Sequence, residues 1–259
     1  MDKKRIIVPF SEPLFAGEKK ILDQLLNGVD NLIFYSIKWL NTKNNPSKWK
    51  NIDLDEIIER NSNSTSTVIK DTFNTGRSLG YNQINAPFKN TSADTEALEI
   101  LQEYNTELTV SLDEEVGHAI KKTLVTGAVA GLATSQIIHE LIQIPQNINS
   151  PYTNNAGELI TPLISPRIRA EVIARTEYGR VVNNGTLQAF ADYGIGEVDI
   201  VTSDDGLVCD ECEFMASNNP YSITEVQDIL PVHPNCRCGV RPVYNKIKDL
   251  DNPPTINMI

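Results

Sequence analysis

Cys209-Asp-Glu-Cys212 and His233-Pro-Asn-Cys236-Arg-Cys238 hold every cysteine of this chain within thirty residues, and the remaining 229 residues contain none. Clustering of this kind is the pattern of a metal site. A Cys-x-x-Cys turn sets two sulfurs on one edge of a tetrahedron, and a second, distant cluster closes it. Five donors compete for four places. One set is Cys209, Cys212, Cys236 and Cys238 with His233 close by; the other puts His233 in place of Cys236 or Cys238. Thiolates and imidazoles suit zinc, and four such ligands leave no coordination position for water, so the predicted zinc is structural and not catalytic. The competing reading, disulfides, needs an oxidising compartment. Met1-Asp-Lys-Lys-Arg-Ile-Ile-Val-Pro-Phe10 has the basic start of a secretion signal, but its apolar run is cut by Pro9, Ser11 and Glu12. The expectation is therefore folding in a reducing cytosol, with metal bound.

The 259 residues are enough for one large domain or two small ones, and 40% hydrophobic with 22% charged residues is the composition of a folded globular chain. The net charge of −11 is uneven. Residues 1–50 carry nine Lys and Arg against five Asp and Glu, residues 51–160 six against fifteen, and residues 161–259 eight against fourteen. An acidic body does not suit broad binding to a phosphate backbone, which needs clustered positive charge. The most apolar stretch, Leu124 to Ile144, is interrupted by Gln136, His139 and Glu140, as in a buried helix and not a membrane span.

Helical signals dominate the first 145 residues. Ile21, Leu25, Val29, Leu32 and Ile33 recur at helical spacing, Asn41 to Asn51 has loop composition, and Asp53 with Glu56 predicts a capping box. The polar run Asn61–Thr67 is compatible with loop or helix. Thr91-Ser-Ala-Asp94 predicts the start of a helix with Leu98, Leu101, Tyr104, Leu108 and Leu112 on one stripe. A separate apolar helix is expected from about Ile120 to Ile144, ending at Pro145. Residues 145–163 have linker composition. Ser165-Pro166 is a helix start, Ser as N-cap and Pro in the first turn, with the helix running to about Phe190. Val198–Thr202 and Cys238–Tyr244 read as strands. The expected fold class is α+β: a long-helix region over 1–150, a small helix-plus-strands domain over 160–245 stapled by the Cys/His cluster, and a tail over 246–259.

Three pieces of the second half line up. Ala174-Arg175-Thr176-Glu177 lies in a helix that follows an apolar helix; Asp205-Gly-Leu-Val-Cys209-Asp-Glu-Cys212 follows a short strand; and His233-Pro-Asn-Cys-Arg-Cys238 closes the set. This resembles the C-terminal domain of the phage Mu F-like head morphogenesis family, the minor head proteins of tailed phages. The resemblance covers about residues 125–245, and its closing motif is the most specific part. Ile200 stands near the place of a common aromatic, and Leu207 near that of a common basic residue. The resemblance implies a structural virion protein and not an enzyme. It implies binding to the phage portal protein and the capsid or scaffold near the portal vertex, head morphogenesis in the host cytoplasm, and a part in handling phage DNA during packaging or ejection. It implies no membrane and no small-molecule substrate.

Helical spacing places Arg175 and Glu177 on apolar stripes, where a charge is costly unless paired and hydrogen-bonded. Arg175, Thr176, Glu177 and Asp205 are therefore expected to form a polar network tying this helix to the metal lobe, with Asp204, Asp205 or loop carbonyls receiving Arg175, and a loop amide, His233 or Arg237 serving Glu177. The residues also offer three enzyme or nucleic-acid alternatives. An Arg, a Thr and a Glu match in type the residues of ADP-ribosyltransferase toxins, but consecutive helical residues point about 100° apart and do not converge on one substrate. A zinc-dependent nucleic-acid module or a His-Asn-His nuclease would use His233 and Asn235, yet the only other histidines, His118 and His139, fall on predicted helices.

Overall fold

The computed structural model describes residues 15–42, 46–89, 91–147, 151–153, 157–161, 164–203 and 208–243. Four helices come first: α1 (Ala16–Thr42), α2 (Asp55–Gln83), α3 (Ser92–Val129) and α4 (Thr134–Gln143). A two-residue ladder, β1 (Tyr152–Thr153) with β2 (Leu159–Ile160), leads into α5 (Pro166–Ala191). The second half then alternates β3 (Glu197–Val201), α6 (Asp210–Ser217), β4 (Tyr221–Ser222), α7 (Ile223–Ile229) and β5 (Gly239–Pro242). The three strands form an antiparallel sheet in the order β4-β3-β5, with Ile200 opposite Val240. The described chain is thus mostly helical with a small three-stranded antiparallel sheet beside the β1–β2 pair, an α+β architecture. None of its helices is long and apolar enough to cross a membrane.

The helices form where apolar side chains recur on one face. Ile21, Leu25, Val29 and Leu32 of α1 meet Ile69 and Phe73 of α2 and Leu112, Val116 and Ile120 of α3 in one buried core. A polar seam runs through it. Asn61 Nδ2 donates to Asp113 Oδ2 (2.7 Å) and to the Gly28 carbonyl (3.1 Å), and Thr109 donates to the Thr65 hydroxyl (3.3 Å). This seam helps the polar run Asn61–Thr67 to be helical: the Asn61 amide finds partners on neighbouring helices, and the Ser62 and Thr65 hydroxyls donate back to the Glu59 and Asn61 carbonyls of their own helix.

Two boundaries differ from the sequence reading. No capping box opens α2; the carboxylate of Asp53, two residues before the helix, instead accepts the N–H of Asp55, its first residue, at 3.1 Å. And α3 does not stop near residue 112. It runs unbroken to Val129, because no proline lies between Asp113 and Lys122 and Gly117 is packed against Leu54, and the chain turns only at Gly131 (φ +67°). There Gly131 N–H reaches the Ala128 carbonyl and Leu132 N–H that of Gly127, a Schellman ending. The turn lets α4 fold back so that Ile137 lies against Gly127, where a Cβ would sit 2.7 Å from the Ile137 side chain.

Helix α5 is the piece that positions everything after it. It begins as the sequence predicts, with Ser165 Oγ accepting the Ile168 N–H. It crosses α2 backbone to backbone. A Cβ on Gly76 would lie 2.2 Å from the Val182 carbonyl oxygen, and one on Gly185 2.3 Å from that of Phe73. The crossing is tightened by Thr186 Oγ1, which donates to the Gly76 carbonyl at 3.0 Å. Beside it, buried Arg77 pairs with Asp94 (2.9 Å) at the start of α3 and with Asp192 (3.2 Å) just past α5, and Tyr81 donates to the same Asp192 carboxylate. Phe190, Val198, Ile200, Val226 and Leu230 then build a second core between α5, the sheet and α7, and Cys212, Cys236 and Cys238 belong to it.

Candidate metal centre

The cluster stands on one turn of α5. Gly179 lets the Cys236 carbonyl approach to 3.3 Å of where a Cβ would be, and Thr176 Oγ1 accepts the Asn235 N–H at 2.9 Å. Cys209 is the residue before α6, and Cys212 falls in the first turn of that helix, which brings the Cys-x-x-Cys sulfurs to one side. The second half of the cluster is a tight turn. Cys236 N–H returns to the His233 carbonyl (3.0 Å), and Asn235 takes a positive φ of 66°, one of two non-glycine residues described that do so. Cys238 then leads into β5.

Five side chains converge. The donor atoms of Cys209, Cys212 and His233 lie within 4.8 Å of one another, as do those of Cys212, Cys236 and Cys238. Cys212 belongs to both triads. His233 Nε2 is 3.2 Å from the Cys209 sulfur and 3.2 Å from that of Cys212, and the Cys212 and Cys236 sulfurs are 3.9 Å apart. The imidazole is oriented from behind. His233 Nδ1 lies 2.8 Å from the Pro234 carbonyl, and a carbonyl only accepts, so Nδ1 carries the proton and Nε2 turns its lone pair toward the sulfurs. Backbone support of this kind is what a metal-ligating histidine requires.

The electrostatics point the same way. Cys212, Cys236 and Cys238 are buried, and Cys209 is half-buried. Burial pushes the Cys212 thiol up to about 12. The Cys238 thiol is raised by its hydrogen bond to Cys236 and by burial, while that bond and nearby amides bring Cys236 down to about 5. Sulfurs packed this closely in a low-dielectric setting cannot all ionise on their own; a cation among them supplies the missing charge. The Cys/His group of Cys209, Cys212, His233, Cys236 and Cys238 could therefore hold a metal ion.

The Arg-Thr-Glu residues are placed differently from one another. Thr176 reaches the metal loop, as just described. Arg175 reaches Glu18 on α1, 4.0 Å from Nε to Oε2, where the sequence reading looked to Asp204 or Asp205; those two lie outside the described residues. Glu177 accepts from Arg180 Nε at 3.1 Å and hydrogen-bonds Asn105 of α3, and burial raises its carboxyl above the ordinary range. Glu18 is the residue that sequence reasoning missed. It is 1% exposed, and its Oε2 also lies 3.4 Å from Arg237 Nη2. The signal was present, since Glu18 sits three residues before Ile21 on the apolar stripe of α1, and an acid there needs a partner. His118 lines a cavity of about 330 Å³ with Lys122, Thr126 and Glu140, and among the described residues neither it nor His139 joins a metal-donor group.

Comparison of the chain with family models, with curated proteins and with solved structures finds no match.

Proposed function

We propose that this chain is a minor head protein of a tailed phage, a structural and interaction component whose Cys/His cluster holds zinc. The observation that carries the reading is how the motif residues are used. The donors of the closing His-Pro-Asn-Cys-Arg-Cys motif converge with the Cys-x-x-Cys pair, and Arg175, Thr176 and Glu177 each make a separate structural contact. That divergence favours a scaffold over a catalytic site. Zinc fits the donor set: zinc–thiolate bonds of about 2.3 Å give a tetrahedral edge of about 3.8 Å, and the Cys212 and Cys236 sulfurs stand 3.9 Å apart. With four protein donors the ion acts as a staple on folding and offers no site for substrate water.

The proposed partners are the portal protein and the capsid or scaffold, and the proposed location is the head interior near the portal vertex, reached from the host cytoplasm during assembly. The residues over the metal centre, 208–235, include Asp210, Glu211, Glu213, Glu225 and Asp228 and no Lys or Arg, which favours a protein partner over a phosphate backbone there. Quantitative mass spectrometry of purified particles from the source phage or prophage tests the proposal. The chain is expected in the particle at a small fraction of the major capsid protein. Its absence from particles that package DNA normally would overturn the virion reading.

A further inference from the structure

We infer that the metal centre latches the first turn of α1, so that metal occupancy and the docking of Glu18 form one coupled equilibrium. The inference rests on the metal reading above. Arg237 stands between two donors, Cys236 and Cys238, so a bound ion fixes its backbone on both sides. Its guanidinium then reaches across to α1. Nη2 lies 3.4 Å from Glu18 Oε2, and the guanidinium carbon sits 4.6 Å from the centre of the Phe15 ring. Oε2 of Glu18 also accepts the Phe15 N–H at 2.8 Å and lies 4.0 Å from Arg175. A carboxylate that is 1% exposed depends on such partners, because burying it unpaired is costly.

The packing makes the contact a seat and not a passing bridge. Gly17 lies directly on the Tyr178 ring of α5; a Cβ there would come 2.0 Å from Tyr178 Cε2. Two residues from Tyr178 on one side, Thr176 holds the Asn235 N–H, and one residue on the other, Gly179 admits the Cys236 carbonyl. Residues 15–18 and 235–238 are more than two hundred positions apart, yet both rest on residues 175–179, joined through Glu18 and Arg237. Releasing the metal loosens the loop that carries Arg237, and Glu18 loses a cation from a site water does not reach. The first turn of α1 then keeps its contacts with Arg175 and Tyr178. Coupling is reciprocal, so a docked turn raises metal affinity by the factor by which metal strengthens docking.

Hydrogen–deuterium exchange of the full chain, zinc-loaded and after chelation, tests this alongside metal analysis and a zinc competition titration. On chelation, amides of 16–22 are expected to exchange faster together with those of 209–238, while 65–77 of α2 keep their protection. Glu18→Gln is expected to weaken zinc binding about tenfold. Glu56→Gln removes the same charge from an exposed side chain (86%) paired with Arg60, and is expected to leave affinity unchanged. One equivalent of zinc with unaltered exchange at 16–22, or a Glu18→Gln variant with unaltered affinity, would overturn the latch and leave the metal site standing. Protein that binds no zinc in the titration would overturn both. Should chelation unfold the whole chain, α2 would exchange as well, and the Glu18→Gln affinity then decides.

Discussion

Replacing Asp113 with asparagine is expected to flatten the dependence of stability on pH. Asp113 is 1% exposed in the seam between α1, α2 and α3, and its Oδ2 accepts from Asn61 at 2.7 Å. Burial pushes its carboxyl up from 3.8 to about 7, and the Asn61 bond opposes this only in part. The folded chain therefore keeps a proton that the unfolded chain releases near pH 4. Stability falls as pH rises from there to about 7, and is level above. About three pKa units at about 1.4 kcal/mol each put the full loss on the order of 4 kcal/mol, which for a chain of this size is roughly 10 °C in Tm. Asparagine has nothing to ionise. Its amide enters a place where Asp113 Oδ1 has no hydrogen-bond partner, and the resulting penalty is the same at every pH, so it cancels from the slope. Glu177, also raised by burial, adds a loss of the same sign that both proteins share. Thermal melts at pH 5 and pH 8, followed by circular dichroism, read the effect. About two of those three units fall between pH 5 and pH 8, so the fall in Tm between the two is expected to be smaller in the variant by roughly 7 °C. An equal fall in both proteins would refute the assignment of Asp113 as a buried, proton-retaining group.

Gly185→Ala drives a methyl group into the Phe73 carbonyl and forces α2 from α5; urea unfolding is expected to show a loss of about 3 kcal/mol. The same change at Gly179, where the nearest atom is 3.3 Å away, is expected to cost far less. Arg77→Met leaves the carboxylates of Asp94 and Asp192 without their shared cation and is expected to lower stability by about 3–5 kcal/mol at pH 7. Thr176→Val removes the acceptor for the Asn235 N–H. It is expected to cost about 2 kcal/mol in thermal or urea melts and to speed metal release to a chelator.

Much of the architecture is written in local signals. Ser165-Pro166 fixes the start of α5 because an N-cap hydroxyl and a proline in the first turn act within one turn of chain. The alternation over Val198–Val201 marks β3 because one face of the sheet is buried. The Cys/His spacing is legible because metal ligation limits which residues and separations work. What stays hidden depends on contacts across the fold. Nothing local shows that Asn61 and Thr65 are satisfied by Asp113, Gly28 and Thr109, so their run reads as loop or helix. Gly76 and Gly185 look like helix weaknesses until the crossing of α2 and α5 requires both. The partner of Arg175 lies 157 positions earlier, at Glu18, and only the assembled seat on α5 brings the two together. Helix α6 carries no long apolar period of its own; it forms around Cys212, whose side chain is buried in the second core.

The measurement that bears most directly on this account is the metal content of the full chain, purified without chelator, for the native sequence and for Cys212→Ser. Cys212 is the donor shared by both triads, and each four-ligand set read from the sequence includes it. About one zinc per native chain is expected, none in the variant, and a lower Tm for both the variant and the chelated native protein. A metal-free native protein that melts at the same temperature with and without chelator would contradict this.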